Sequence, residues 1–310
     1  MHGGESLAEE TFKAGYVAVI GRPNVGKSTL MNAFLGQKVA AVSPRPQTTR
    51  RRQLGILTLP QAQIIFIDTP GIHKPVDKMG NYMNEVALST LQDADLLLWL
   101  VSADEAPSDE DRLVASRLNQ LKSLPPVILA LNKTDLLTAK QLAQRRNQFQ
   151  ELLPKAELMA ISATAKLHLN ELQAAIITHL PEGQPFFDAE QVTDLYEREI
   201  AVELIREAVL MTLRDEVPHS VAVRLDEYKD RDEETAYIAA TLLVERDSQK
   251  GIVIGHGGEM LKQIGTQARK EIEALTERKV FLELRVKVSK NWRNDINALQ
   301  ALGYSFRQEN

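Results

Sequence analysis

The chain has 310 residues, enough for two domains of ordinary size, and its 44% hydrophobic and 25% charged content is that of a globular protein. It contains no cysteine, which excludes disulfides, thiolate metal centres and thiol nucleophiles together. A net charge of −5 argues against a nucleic-acid binder that uses its whole surface, so an RNA site would need local segregation of charge. No stretch approaches the roughly 18 apolar residues of a membrane span, and the polar start through Lys13 lacks the apolar core of a secretion signal. A cytoplasmic setting is therefore expected.

Tyr16 to Ile20 is a short β-branched run that predicts a buried strand. It leads into Gly21-Arg22-Pro23-Asn24-Val25-Gly26-Lys27-Ser28, which fits the phosphate-loop pattern Gly-x-x-x-x-Gly-Lys-Ser/Thr. Thr29 to Leu35 predicts a helix closed by Gly36. Gly21 and Gly26 let backbone N–H groups turn inward around phosphate oxygens, and the helix N-terminus adds positive potential. Lys27 supplies a point charge to the β- and γ-phosphates, and the Ser28 hydroxyl can ligate Mg²⁺.

Gln37 to Thr49 has no apolar periodicity and reads as a mobile loop ending in Gln47-Thr48-Thr49-Arg50. In a nucleotide switch a threonine here, Thr49, closes on Mg²⁺ and the γ-phosphate. Arg50-Arg51-Arg52 admits two readings, a solvated edge of the next strand or a phosphate contact. Strands are expected over Leu54 to Leu59 and Gln63 to Asp68, the second running into Asp68-Thr69-Pro70-Gly71. There Asp68 can hold the metal through water, and the Gly71 N–H can reach the γ-phosphate. Ile72 to Asn84 then reads as mobile, and Tyr82 to Leu91 as a helix.

Further buried strands are expected over Ala94 to Val101 and Pro126 to Leu131, with an amphipathic helix over Asp109 to Leu121 between them. The second strand ends in Asn132-Lys133-Thr134-Asp135. A carboxylate at Asp135 can accept both N1–H and the exocyclic amine of guanine, a donor pair adenine lacks. Asn132 can tie this loop to the phosphate loop, and the Lys133 stem can cover the ring face. A strand from Glu157 to Ala163 ends in Ser162-Ala163, whose backbone could meet the guanine carbonyl oxygen. Leu169 to Leu180 closes this half as a helix. Such alternation demands a largely parallel sheet covered on both faces, with the ligand at the strands' carboxyl ends.

Pro181 to Pro185 is a linker by composition. Beyond it the expected order is a helix near Tyr196 to Arg214 with Ile200, Leu204, Ala208 and Met211 on one face, strands over Ser220 to Tyr228 and Thr235 to Glu245, a Gly-rich turn, a helix over Glu259 to Arg278, a strand over Val280 to Val288 and a last helix over Asn291 to Leu302. Gly255-His256-Gly257-Gly258 lies in that turn, where a KH domain clamps the backbone of about four nucleotides. Ile252, Ile254 and Ile264 are candidates for an apolar groove under the bases. Basic residues, Lys262, Arg269 and Lys287 among them, concentrate downstream of the clamp, whereas acids dominate from Asp188 to Glu234.

The segments GRPNVGKSTLMNAFLGQK, PQTTR, DTPGIHKP, NKTD and SAT, followed by GHGGEMLKQIGTQARKEIE, VFLELRVKVSKNWRND and a final ALGY, resemble the Era family of bacterial GTPases over nearly the whole chain. The resemblance implies an α/β P-loop G domain at 14–180 after a tail at 1–13, a linker at 181–195, and a smaller α+β KH type 2 domain at 196–310. It implies that Arg22, Pro23, Val25, Thr29, Thr69, Pro70 and Ile72 join the nucleotide site. It further implies GTP hydrolysis, binding to the 3′ end of 16S ribosomal RNA and the 30S subunit, a role in small-subunit assembly, a monomer, and peripheral attachment to the inner membrane. Two family features bear on mechanism. Ile72 stands where Ras-like proteins place a water-orienting glutamine, so slow turnover is expected, with His73 a weak substitute. Relatives with Asn at the Asn24 position bind K⁺ beside the phosphates, which makes K⁺ a candidate cofactor. The clamp's variable positions, His256 and Gly257, lack the lysine that many relatives carry. Two other functions compete with this one: an RNA-binding module whose nucleotide pocket is only structural, and a P-loop ATPase or kinase.

Overall fold

The computed structural model describes residues 11–41, 49–72, 74–121, 123–232 and 234–304. His73, Gln47 and Thr48 lie outside the described residues. The first half forms strands β1 (Lys13–Ile20), β2 (Gln53–Leu59), β3 (Ala62–Asp68), β4 (Leu96–Ser102), β5 (Val127–Asn132) and β6 (Glu157–Ala160). Helices α1 (Lys27–Leu35), α2 (Lys78–Thr90), α3 (Asp109–Asn119), α4 (Ala139–Gln150) and α5 (Leu169–His179) connect them. The six strands lie in the order β2-β3-β1-β4-β5-β6, all parallel except β2, which runs antiparallel to β3.

Every residue of β3 and β4 is buried, as a sheet covered on both faces requires. Alternation then splits each strand between two cores. Val17, Val19, Leu98 and Leu100 face one core, and Ala18, Ile20, Leu97 and Trp99 face the other. The carboxyl ends of β1, β3, β4 and β5 open on one edge, where the nucleotide motifs sit.

The second half contains α6 (Glu197–Thr212), β7 (Ala222–Asp230), β8 (Thr235–Val244), α7 (Asp247–Ile254), α8 (Glu259–Thr276), β9 (Lys279–Val288) and α9 (Ile296–Ala301). Its three strands lie in the order β7-β8-β9, with β7 and β8 antiparallel and β8 and β9 parallel. Ile238, Ala240, Leu242 and Val244 pack beneath Ile205 and Val209 of α6 and Ile264, Ala268 and Ile272 of α8. The opposite sheet face carries Tyr237 and Phe281.

Several expectations change. The segment after Gly71 is helical from Lys78, because Asp77 caps it by accepting the Gly80 N–H at 2.7 Å. That cap outweighs the polar composition that made 72–84 read as mobile. The last strand of the first sheet stops at Ala160 rather than Ala163. Met211, expected on the buried face of α6, is 48% exposed, because the core-facing stripe at this end runs through Ile205, Val209 and Leu213, and Met211 lies about half a turn from it. The linker is not a free tether. Ile56 N–H donates to Val192 O at 2.9 Å, Leu54 N–H to Asp194 Oδ1 at 2.9 Å, and Gly55 bridges Thr193, so the segment lies along β2.

The two sheets are joined. Met79, Tyr82 and Met83 of α2 share one core with Leu243, Trp292, Leu299, Leu302 and Tyr304. Arg293 bridges Asp77 at 3.4 Å and Glu245 at 2.6 Å. Lys38, just past α1, bridges Glu207 and Glu271 at 2.8 Å each. Burial opposes its charge, but the two carboxylates hold its pKa above the ordinary lysine value. Arg50 and Arg51 follow neither sequence reading. Arg50 is 1% exposed, and its guanidinium donates to the carbonyls of Val221 at 2.9 Å and His219 at 3.0 Å. Arg51 donates to the Leu302 carbonyl and stacks 4.9 Å from the Tyr304 ring. Only Arg52 is an exposed strand-edge cation.

Candidate nucleotide site and nucleic-acid groove

The loop between β1 and α1 is shaped by close approaches. Gly21 has φ +147°, and a Cβ there would sit 2.2 Å from the Leu100 carbonyl oxygen. Gly26 has φ +102°, and a Cβ would meet Asn132 Nδ2 at 2.5 Å. Asn24 adopts φ +65°, a conformation asparagine tolerates, and is exposed at the loop's rim. Val25 is fully buried, and Thr29 is half-buried in the first turn of α1. Arg22 is held by Asp111 at 3.2 Å and by Glu105. Lys27 curls back so that Nζ donates to the Gly21 and Arg22 carbonyls at 3.2 and 3.0 Å. Burial pulls its pKa from 10.5 down to about 8.

Three hard oxygens converge beside Lys27. Thr49 Oγ1 lies 2.8 Å and Ser28 Oγ 3.0 Å from Asp68 Oδ2, and the two hydroxyls are 3.1 Å apart. Asp68 is fully buried, its Oδ1 has no hydrogen-bond partner, and burial pushes its pKa up. A buried carboxylate with a free oxygen and two adjacent hydroxyls is a donor set that suits Mg²⁺. No cluster of three or more His, Asp or Glu able to hold a metal occurs among the described residues.

Thr69 and Pro70 are buried, with Thr69 Oγ1 donating to the Val19 carbonyl at 2.9 Å. Gly71 abuts the phosphate loop, since a Cβ there would lie 2.7 Å from the Pro23 nitrogen. Ile72 donates its N–H to the Gly21 carbonyl at 3.3 Å, and its side chain, 3% exposed, joins the core with Ile20 and Leu91. It therefore points away from the phosphate edge.

Asn132, at the end of β5, donates to the Val25 carbonyl and accepts from the Ala163 N–H. Ser162 is buried beside it, its Oγ accepting the Ala165 N–H at 3.0 Å. Lys133 turns outward at φ +64° and pairs with Asp104 at 3.3 Å. Asp135 is exposed in a short 3₁₀ turn, and its carboxylate has no hydrogen bond among the described residues. The structure thus gathers phosphate loop, Asp68, Thr49, Asn132 and Asp135 on one edge. Sequence reasoning missed Asp111 and Glu105, which fix Arg22; Ser108-x-x-Asp111, a capping box opening α3, was a legible signal for the first.

At the other end, Gly255 to Gly258 joins α7 to α8. Gly255 has φ +73°, and a Cβ would meet Met260 Cβ at 2.6 Å, so packing demands glycine. Gly257 and Gly258 have φ +59° and +85° with open space at their Cβ positions, which leaves room for another backbone. His256 is exposed. From this turn runs a groove of about 480 Å³ lined by Gly258, Leu261, Lys262, Gly265, Thr266 and Arg269 on α8 and by Leu282 and Leu284 on β9.

The three isoleucines do not line it. Ile264 is fully buried under the sheet, Ile252 is 49% exposed, and Ile254 is half-buried on α7. The helix phase places Leu261 and Gly265, rather than Ile264, on the groove side. Lys287 is not brought to the groove either. Alternation along β9 puts Leu282 and Leu284 on its side and Arg285 and Lys287 on the opposite face.

Fold and site together define a class, a guanine-nucleotide-binding P-loop protein that carries a KH module. Family models agree. Residues 16–133 match the 50S ribosome-binding GTPase family, and residues 216–293 match the KH domain. The chain is 48% identical over 300 residues to GTPase Era of Leuconostoc citreum, covering 96% of this chain and 99% of that one. It is 44% identical over 298 residues to GTPase Era of Geotalea daltonii, covering 96% and 100%. A solved structure of Era with MgGDPNP and nucleotides 1506–1542 of 16S ribosomal RNA superposes at TM-score 0.91 with 40% identity, covering 95% of this chain and all of that one. A variant of Aquifex aeolicus Era bound to GDP·AlF₄⁻ superposes at 0.90, again with 40% identity and 95% of this chain covered. The chain belongs to the Era family of GTPases.

Proposed function

We propose that this GTPase is a switch that binds Mg²⁺ and GTP at the β1–α1 edge and grips the 3′ end of 16S ribosomal RNA in its KH groove, acting in small-subunit assembly. The observation that carries the reading is the seating of Thr49, from the switch loop, on Ser28 and Asp68. The RNA assignment is supported by the Era relative solved with 16S nucleotides 1506–1542. In this reading backbone amides of Gly21 to Gly26 and the start of α1 hold the phosphates. Lys27 leaves its carbonyl partners for the β- and γ-phosphates. The Gly71 N–H marks the γ-phosphate, and Asp135 reads the guanine edge while Lys133 covers the ring.

Ser28, Thr49 and Asp68 would hold Mg²⁺, which supplies charge neutralisation at the transferred phosphate. The Ile72 side chain is buried and aliphatic and cannot orient the attacking water, and intrinsic turnover is slow. Asn24 is the candidate K⁺ ligand. Peripheral contact with the inner membrane belongs to the same reading; no helix among the described residues is long and apolar enough to cross a bilayer.

The test is binding of a 16S 3′-terminal fragment to the chain with GTP, with GDP and without nucleotide. The switch reading expects different affinities in the three states. Equal affinities overturn the switch, and loss of GTP preference over ATP overturns the nucleotide site.

A further inference from the structure

Arg50 belongs to the first half of the chain, yet its described partners lie more than 150 residues downstream. It donates to the Val221 and His219 carbonyls, its guanidinium stands 5.8 Å from the Trp292 ring, and Tyr304 faces it. No carboxylate is within ion-pair distance among the described residues. Burying a guanidinium against neutral acceptors is costly, and an apolar side chain would join the two halves at lower cost. A planar fork that grips two carbonyls supplies direction instead. The residue it directs is its neighbour. Thr49 precedes Arg50 immediately, and consecutive Cα atoms are fixed about 3.8 Å apart.

We propose that Arg50 is a positioning residue for GTP hydrolysis: anchored on the KH side, it holds Thr49 at the oxygens of Ser28 and Asp68, so that the KH domain completes the site of the G domain. The proposal rests on the reading of Thr49 as a cation ligand. It separates Arg50 from the RNA surface, because both of its terminal nitrogens are committed to carbonyls within the protein. It also explains why an arginine with no access to phosphate stands beside the switch threonine.

The full-length chain tests it through the Mg²⁺ dependence of GTP hydrolysis. Arg50→Gln is expected to raise the Mg²⁺ concentration for half-maximal rate by about tenfold, the size of effect seen when the support of a metal ligand is lost. Affinity for GDP without Mg²⁺ is expected to stay within about twofold, a split that simple loosening of the domains does not produce. Arg50→Lys, which keeps charge and bulk but loses the fork, is expected to fall between the two and serves if Arg50→Gln fails to fold. Thr49→Ala alone tests the underlying reading: normal Mg²⁺ dependence there removes the cation role of Thr49. If Thr49→Ala impairs Mg²⁺ use while the Arg50 variants behave as the parent, the reading stands and the proposal falls. The double variant is expected to be no worse than Thr49→Ala; additive losses show that Arg50 acts elsewhere and overturn the proposal.

Discussion

Asn132 Nδ2 donates to the Val25 carbonyl at 2.8 Å, and Oδ1 of the same amide accepts the Ala163 N–H at 2.9 Å. One side chain, 3% exposed, thereby ties the end of β5 to the phosphate loop and to the loop after β6. Truncating it leaves a buried acceptor and a buried donor unmet, at about 1–3 kcal/mol each. Asn132→Ala is expected to weaken GTP and GDP equally, by about tenfold or more. Fluorescent-nucleotide titration measures this; a loss confined to one nucleotide contradicts a purely structural tie.

Asp135 stands exposed with no internal hydrogen bond among the described residues. Guanine offers it two donors, whereas xanthine replaces the exocyclic amine with a carbonyl. Asp135→Asn is expected to shift preference from GTP toward xanthosine triphosphate by about a hundredfold. Competition binding reads the change directly. Retained discrimination would assign base recognition to another group.

Burial holds the Lys27 pKa near 8, below its ordinary 10.5. Phosphate anions favour the charged form and raise that value on binding. Above about pH 8 the free protein loses a proton that the complex holds until its own, higher pKa, so in that window binding takes up protons and affinity falls as pH rises. Below about 8 Lys27 is protonated in both states and this dependence vanishes. Calorimetry in buffers of different ionisation enthalpy at about pH 8, where the γ-phosphate is already ionised and guanine N1 still carries its proton, is expected to show an uptake of about half a proton. Buffer-independent heats there would place Lys27 away from the phosphates.

Asn24 is exposed at the rim of the phosphate loop in a left-handed conformation. Turnover is expected to be higher in K⁺ than in Na⁺, and Asn24→Ala to remove the difference. Phosphate release in the two salts measures it. Equal rates in the parent protein would leave K⁺ without a role.

Gly258 has φ +85° and open space at its Cβ, at the mouth of the α8–β9 groove. Gly258→Asp adds a carboxylate where an RNA phosphate would approach and strains the turn, so RNA affinity is expected to fall about tenfold or more. GTP affinity, read on the same sample, is expected to be unchanged. Loss of both would report unfolding rather than a local effect.

The nucleotide edge was legible because its chemistry is local. Gly21 to Ser28, Asp68 to Gly71 and Asn132 to Asp135 each carry their own strand and turn, so residue type and spacing suffice. The groove was half legible. Gly255 to Gly258 announced it, but its walls depend on helix phase and strand alternation, which put Leu261 and Leu284 where Ile264 and Lys287 were expected. Applying the helical spacing from Gly258 through Leu261 and Gly265 to Arg269 would have found that stripe. The roles of Lys38, Arg50 and Arg51 were not legible. Their partners Glu271, Val221 and Leu302 are distant in sequence, and a main-chain carbonyl leaves no mark in the residue string.

The stretch that follows Leu180 also bears on how this protein can be divided. Val192 to Asp194 meets backbone amides of β2, which is otherwise an outermost strand. A fragment ending at Leu180 would bare those amides and offer them to a neighbouring molecule, inviting strand-to-strand aggregation. An excised GTPase unit that extends through Asp194, fourteen residues past Leu180, is expected to stay dispersed where the shorter fragment associates.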